Sequence, residues 1–212
     1  MSTSVGYKNF HKVLEFLEAF LFHDDIDSGT VRVGVVGYSS DANVEFFLNQ
    51  YSTTDTLYKA IDNIQYMLGN TNTAAGLRVT RSAMFTVDHG DRPDAENIAI
   101  IVTDGVSNVN SRNTIPEAEM MRNSGIKIYA IGVGLVETQE LTEIASKPIE
   151  DHLFLADDFS GLNNLHDQVL DSFCLEPVPT LRPEPAPSPE PEPTLPGPDL
   201  PPVGSISPLH KC

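Results

Sequence analysis

The sequence has little cysteine, few basic residues and no long hydrophobic run, and each of these absences excludes a class of protein. The two cysteines, Cys174 and Cys212, are too few for a disulfide scaffold and lack the spacing of metal ligands. Only 13 basic side chains stand against 30 acidic ones, and the net charge of −17 repels phosphate backbones and anionic lipid. No stretch of about 18 apolar residues exists that could span a bilayer. We therefore expect no thiol chemistry, no nucleic-acid partner and no membrane insertion.

Proline, by contrast, is concentrated near the C-terminus, where 13 of the 16 prolines follow Leu175. Proline at nearly every second position removes amide donors and fixes φ, which favours an extended polyproline-II spacer of about 3 Å per residue. We predict a globular domain over residues 1–174 and a disordered proline-rich linker or tail over residues 175–212. A docking site for a proline-recognition domain is the alternative for this tail.

The segment before the tail alternates between helical and strand patterns. Apolar residues at helical spacing predict helices, over residues 10–21, 54–68, 73–85, 116–123, 138–146 and 162–173. Thr53 or Thr54 opens the second of these helices. Short apolar runs rich in β-branched residues predict strands, over residues 31–38, 42–48, 97–103, 126–133 and 152–155. The run at 97–103, NIAIIVT, is apolar throughout and is the best candidate for a central strand. Such alternation indicates an α/β fold, a doubly wound and mostly parallel sheet with helices on both faces.

Ligands of such sheets bind outside the carboxyl ends of the strands, and three polar segments occupy positions of that kind. They are Ser2-Thr3-Ser4, residues 69–73 (GNTNT) and residues 103–105 (TDG). Their hydroxyls and single carboxylate suit a hard cation such as Mg²⁺, which would then accept a further carboxylate from a partner. Taken singly, the serines and threonines could equally cap helices, and the Thr-Asp-Gly sequence could be an ordinary turn.

Three sequence segments together resemble those of a known protein family. STSVGYKNF, GNTNTAAGL and IAIIVTDGVSN, in this order and spacing, resemble a von Willebrand factor A domain of the collagen and matrilin type, over about residues 2–174. The resemblance implies a six-stranded doubly wound fold with a metal-ion-dependent adhesion site for Mg²⁺ or Mn²⁺. By position it implies Ser2, Ser4, Thr71 and Asp104 as the metal ligands.

The sequence departs from the family pattern at its N-terminus. The motif's leading aspartate and the family's first strand, which the resemblance places centrally between residues 31–38 and 97–103, would precede Met1. About six missing buried residues, at roughly 1.5 to 3 kcal/mol each, correspond to on the order of 10 kcal/mol of lost stabilisation. We therefore expect a truncated chain, or fragment, that binds the metal weakly.

The resemblance also implies what the chain does. It implies a non-enzymatic, secreted adhesion or assembly module of the extracellular matrix, although residues 1–10 show no secretory signal as written. The implied partners are matrix proteins such as collagens, bound through an acidic side chain, and assembly with itself or other chains is a further expectation. One alternative is a metal-independent assembly module with an inactive site. Another is a metal-assisted hydrolase using Asp104, against which stands the lack of a second acid–base group near the three segments.

One acidic cluster outside these segments offers a second candidate cation site. Asp24, Asp25 and Asp27 lie close together and could hold Ca²⁺, but their spacing is not that of an EF-hand. A solvated acidic loop is the favoured interpretation.

Overall fold

The computed structural model describes residues 5–21 and 26–174. Ser2, Ser4 and the proline-rich tail over 175–212 lie outside the described residues. The helices are α1 (Gly6–Leu21), α2 (Thr54–Asp62), α3 (Thr73–Val79), α4 (Thr114–Asn123), α5 (Gln139–Ile144), α6 (Ile149–His152) and α7 (Leu162–Cys174). The strands are β1 (Val35–Tyr38), β2 (Ala42–Phe46), β3 (Asn97–Thr103), β4 (Ile126–Val133) and β5 (Leu153–Ala156). Short 3₁₀ turns cover Val87–His89 and Ser111–Asn113.

The described strands form two ladders. β3, β4 and β5 pair in parallel in that order, with Asn97 opposite Ile126 and Ala130 opposite Leu153. β1 and β2 form an antiparallel pair in which Tyr38 lies opposite Ala42. The parallel ladder and its connecting helices confirm the α/β fold class that the alternating pattern predicts.

Strand β4 shows why both faces of the parallel ladder are covered by helices. Its side chains alternate, so that Tyr129, Ile131 and Val133 join the apolar cluster that contains the buried faces of α1 and α7. Ile128 and Ala130 join a second cluster, built with α4 and α5. Every residue of β4 except Lys127 is buried. This two-sided burial requires the nearly continuous apolar sequence of the strand.

The strand predicted as central, β3, lies instead at the edge of its ladder among the described residues, and β4 is the central strand. β3 and β1 both border an apolar cavity of about 480 Å³, lined also by Phe10 and Leu14 of α1. Ordered pairing along β1 begins only at Val35, whereas the apolar pattern predicts a strand from residue 31. Residues 31–34 line the same cavity and have no ladder partner among the described residues. This cavity lies between β1 and β3, where the family resemblance predicts a further strand.

The observed helices depart from the pattern most clearly at two places. α2 ends at Asp62 although the apolar spacing continues to residue 68, and Asn63 closes it by donating from Nδ2 to the carbonyl of Lys59 (2.6 Å). The helix predicted over residues 73–85 is α3 followed by one π-helical turn, Thr80–Met84. No helix within residues 5–21 and 26–174 is long and apolar enough to cross a membrane.

Asp27 has a structural role that the acidic-loop interpretation did not include. Its carboxylate accepts hydrogen bonds from the amide (2.9 Å) and the hydroxyl (3.1 Å) of Thr54, at the first turn of α2. Thr53 caps the same helix end by accepting from the amide of Thr56 (3.4 Å). Asp24 and Asp25 lie outside the described residues.

Candidate metal site

Thr71 lies in the loop that leads into α3, and the residue as a whole is almost fully buried, at 5 % exposure. The next residue, Asn72, caps α3 by accepting from the amide of Ala75 through its side-chain oxygen (3.1 Å). The backbone amide of Asn72 donates to the carbonyl of Ser39 in the β1–β2 turn (2.8 Å). These bonds fix the Thr71 loop from two sides.

Asp104 directly follows β3, at the carboxyl end of the parallel ladder, and is half-buried. The Thr103 hydroxyl shapes the turn, since it donates to the carbonyl of Gly105 (2.9 Å) and accepts from the amide of Gly105 (3.3 Å). The Thr-Asp-Gly sequence therefore does form a turn. That turn presents the carboxylate-bearing residue at the edge where parallel sheets bind ligands.

Four hydrogen bonds join the Thr71 loop to the segment that follows Asp104. The Thr71 amide donates to the side-chain oxygen of Asn108 (2.9 Å). The Thr71 carbonyl accepts from the amides of Asn108 (2.9 Å) and Val109 (3.1 Å), and from the hydroxyl of Ser107 (3.2 Å). The two loops that carry Thr71 and Asp104 are thus held together by the main chain of Thr71.

A carboxylate from α5, the helix that follows β4, contacts the segment after Asp104. Glu140, in the first turn of α5, accepts from the amide of Ser107 (2.8 Å). Burial raises the pKa of Glu140, and the Ser107 amide offsets part of that shift. Burial also raises the pKa of Tyr38 to about 12, and the charges of Asp104 and Glu140 add to this shift. Tyr38 is therefore a neutral hydrogen-bonding group at physiological pH.

The oxygen atoms that the described residues offer as ligands are of the kind that a hard cation prefers. Within the described residues, every hydrogen bond of Thr71 involves its main chain, so its hydroxyl is available as a ligand. The hydroxyl of Thr73 is buried without a hydrogen-bond partner in the same part of the chain, which indicates that another polar group belongs nearby. No cluster of three or more His, Cys, Asp or Glu residues that could hold a metal exists within the described ranges. A cation here would depend on hydroxyl ligands, with Asp104 as the carboxylate.

Thr71 and Asp104 stay predicted ligands, and the structure places them in two loops that are joined, but sequence reasoning missed the residues that connect these loops. Ser107, Asn108 and Glu140 carry no motif of their own. Their bonds cross 33 to 37 positions of sequence, so no local pattern could have revealed them. The predicted ligands Ser2 and Ser4 lie outside the described residues.

The described residues thus form an α/β domain in which the loops of Thr71 and Asp104 are joined near the carboxyl edge of the parallel ladder. The model of the von Willebrand factor type A domain matches residues 1–168. The chain therefore belongs to the von Willebrand factor type A domain family.

Individual relatives agree with the family match. Matrilin-1 of Mus musculus is 35% identical over 179 residues, which cover 84% of this chain and 35% of that protein. The collagen alpha-4(VI) chain of Mus musculus is 33% identical over 175 residues, which cover 82% of this chain and 7% of that protein. The chain thus spans about a third, or much less, of these curated relatives.

Solved structures show the same fold. Proximal thread matrix protein 1 from the mussel byssus superposes with a TM-score of 0.74 at 27% identity, over 80% of this chain and 44% of that one. A further structure of that protein, described as having a zinc-occupied MIDAS motif, gives a TM-score of 0.73 at 27% identity, over 80% and 44% of the two chains. A divalent metal site of this type therefore occurs in a structural neighbour.

Proposed function

We propose that this domain is a non-enzymatic adhesion or assembly module of the extracellular matrix, which binds protein partners through a divalent cation. Ser2, Ser4, Thr71 and Asp104 would hold Mg²⁺ or Mn²⁺, and the cation would supply an open coordination position for an acidic side chain of the partner. Collagens and other matrix proteins are the proposed partners, and the extracellular matrix is the proposed location.

The observation that supports this proposal most strongly is that hydrogen bonds join the loops of Thr71 and Asp104. Four hydrogen bonds tie two segments separated by more than 30 residues, and both loops lie where a parallel sheet offers its ligand-binding edge. Hydroxyl ligands leave a bound cation with much of its positive charge. A partner carboxylate is then the natural further ligand. Chemistry on a substrate would instead need an acid–base group placed to transfer a proton. The structure does bring one carboxyl that the sequence did not reveal, Glu140, to these loops, but that carboxylate accepts from the Ser107 amide.

The experiment is solid-phase binding of the chain to immobilised matrix proteins, collagens first, in Mn²⁺, in Mg²⁺ and in EDTA. We expect binding that EDTA abolishes, and that Asp104→Ala reduces at least about tenfold because it removes the carboxylate ligand. Asp94→Ala is the matched control, since Asp94 is an exposed aspartate in the turn before β3. Calorimetric titration of Mn²⁺ into both variants separates loss of the metal from loss of the partner contact.

The outcomes distinguish the alternatives. Binding that persists in EDTA and in Asp104→Ala would indicate a metal-independent assembly module and overturn the proposal. Metal-dependent turnover of an ester or phosphate substrate that Asp104→Ala abolishes would indicate the hydrolase instead. Equal effects of Asp104→Ala and Asp94→Ala would show that the site lies elsewhere.

A further inference from the structure

We infer that Glu140 is a positioning residue that holds the Asp104 and Thr71 loops in register from the neighbouring helix α5. The positioning role is argued from the hydrogen bonds alone. Its effect on metal binding rests on the proposed function, since the loops that Glu140 holds are those that would carry the cation. Glu140 itself binds no ligand in this proposal.

The topology brings Glu140 to the right place. β3 and β4 are parallel neighbours, and Thr103 at the end of β3 lies opposite Gly132 near the end of β4. The segments after both strands therefore leave the sheet at the same edge. Glu140 is the second residue of the helix that follows β4, and its carboxylate reaches across to the segment that follows β3.

The contact passes to Thr71 through one residue. Glu140 Oε1 accepts from the Ser107 amide at 2.8 Å, and the single hydroxyl proton of Ser107 is shared between the carbonyls of Thr71 (3.2 Å) and Val109 (3.2 Å). A bond from an amide to a carboxylate is stronger than one between neutral groups. Ser107 is itself buried at 7 % exposure, so its amide has little access to water as a substitute acceptor.

The neighbouring acidic residue of the same helix provides a contrast. Glu143 accepts from the side chain of Gln139 at 2.9 Å, an exposed contact within α5 that does not reach the loop. Its alanine variant therefore removes a carboxylate from the same helix without touching Ser107. The two glutamates form a matched pair for testing whether position, rather than charge, is what matters.

The test is amide hydrogen exchange on the full chain without metal, for Glu140→Ala, Glu140→Gln and Glu143→Ala. We expect Glu140→Ala to raise exchange of the Ser107 amide about tenfold, the change that corresponds to losing one hydrogen bond to a charged acceptor. Exchange of the Thr71 amide should rise about threefold or more. Glu140→Gln, which keeps an acceptor oxygen but loses the charge, should raise exchange of the Ser107 amide by less, about threefold. Glu143→Ala should stay within about twofold of the original chain.

A double-mutant cycle checks that the effect travels through Ser107. Ser107→Ala removes the hydroxyl bond to Thr71 but keeps the amide bond to Glu140. Its effect on Thr71 exchange should therefore not add to that of Glu140→Ala. Additive effects would overturn the route through Ser107. Unprotected Ser107 and Thr71 amides in the original chain, or protection unchanged in Glu140→Ala, would overturn the whole inference.

Manganese titration of the same variants separates this inference from the proposed function. Glu140→Ala should weaken Mn²⁺ binding about threefold to tenfold, with partial recovery in Glu140→Gln, because the loops lose their register rather than a ligand. Exchange effects in a chain that binds no Mn²⁺ would support the positioning role and refute the proposed function. Unchanged Mn²⁺ binding in Glu140→Ala, beside increased exchange, would overturn the consequence for the metal.

Discussion

We predict that the domain gains stability when an extended strand fills the apolar cavity between β1 and β3. To test this, the chain is extended at its N-terminus by a segment of β-branched apolar residues as long as the seven-residue β3. At roughly 24 cal/mol per Å³, a cavity of about 480 Å³ corresponds to an upper limit of about 12 kcal/mol. Since total stabilities are about 5 to 15 kcal/mol, even half of this gain would dominate the stability of the domain.

The assay is urea denaturation followed by circular dichroism, together with fluorescence of a hydrophobic dye. With an m-value of about 2 kcal/mol per molar urea, a gain of about 5 kcal/mol raises the unfolding midpoint by more than about 2 M. Dye binding should fall as the cavity fills. The control is an extension of equal length made of glycine and serine, which adds chain without apolar surface. Equal midpoints and equal dye fluorescence for the two extensions would refute the reasoning and indicate that α1 collapses into the gap in solution.

Three further changes test individual contacts. Asn108→Ala removes the acceptor of the Thr71 amide and should lower the free energy of unfolding by about 0.5 to 1.5 kcal/mol, measured in urea; a neutral result would mean that water replaces the side chain. Because burial raises the pKa of Glu140, the folded chain holds that proton more tightly than the unfolded chain, so its contribution to stability falls as pH rises from about 4.5 through the raised pKa. Glu140→Gln should therefore gain stability relative to the original chain between pH 4 and pH 7, in thermal melts, and a constant difference would contradict the shift. Asp27→Ala should cost about 1 kcal/mol by removing a cap of α2, whereas Asp55→Ala, which removes an exposed ion pair, should cost less than about 0.5 kcal/mol; equal losses would deny Asp27 its capping role.

Strand β4 could be predicted from the sequence because it is buried on both faces, which requires a nearly continuous apolar run. β3 also begins and ends with its apolar run, although four of its seven residues are only half-buried. β1 was predicted too long because ladder pairing, not hydrophobicity, decides where a strand becomes ordered. The partner of residues 31–34 cannot be read from those residues themselves.

The candidate site divides in a similar way. The proximity of the Thr71 and Asp104 loops could be predicted because their motifs are local and stand at the ends of recognisable elements. Asn108 and Glu140 could not, because a single hydrogen bond to a distant residue imposes no periodic pattern on either segment. The capping role of Asp27 was missed for the same reason, since Thr54 is 27 positions away.

The contact between Tyr38 and Val102 has a mechanical consequence. The Tyr38 hydroxyl donates to the Val102 carbonyl at 3.1 Å, so a side chain connects β1 to β3 where no main-chain ladder connects them among the described residues. β3 and β4, by contrast, share seven paired positions, whose bonds resist load together. Under tension that pulls α1 and β1 away from β3, side-chain packing would yield first, and the ladder of β3, β4 and β5 would survive as a unit. We therefore expect tension of this kind to open the described part of the domain first at the boundary between its two ladders.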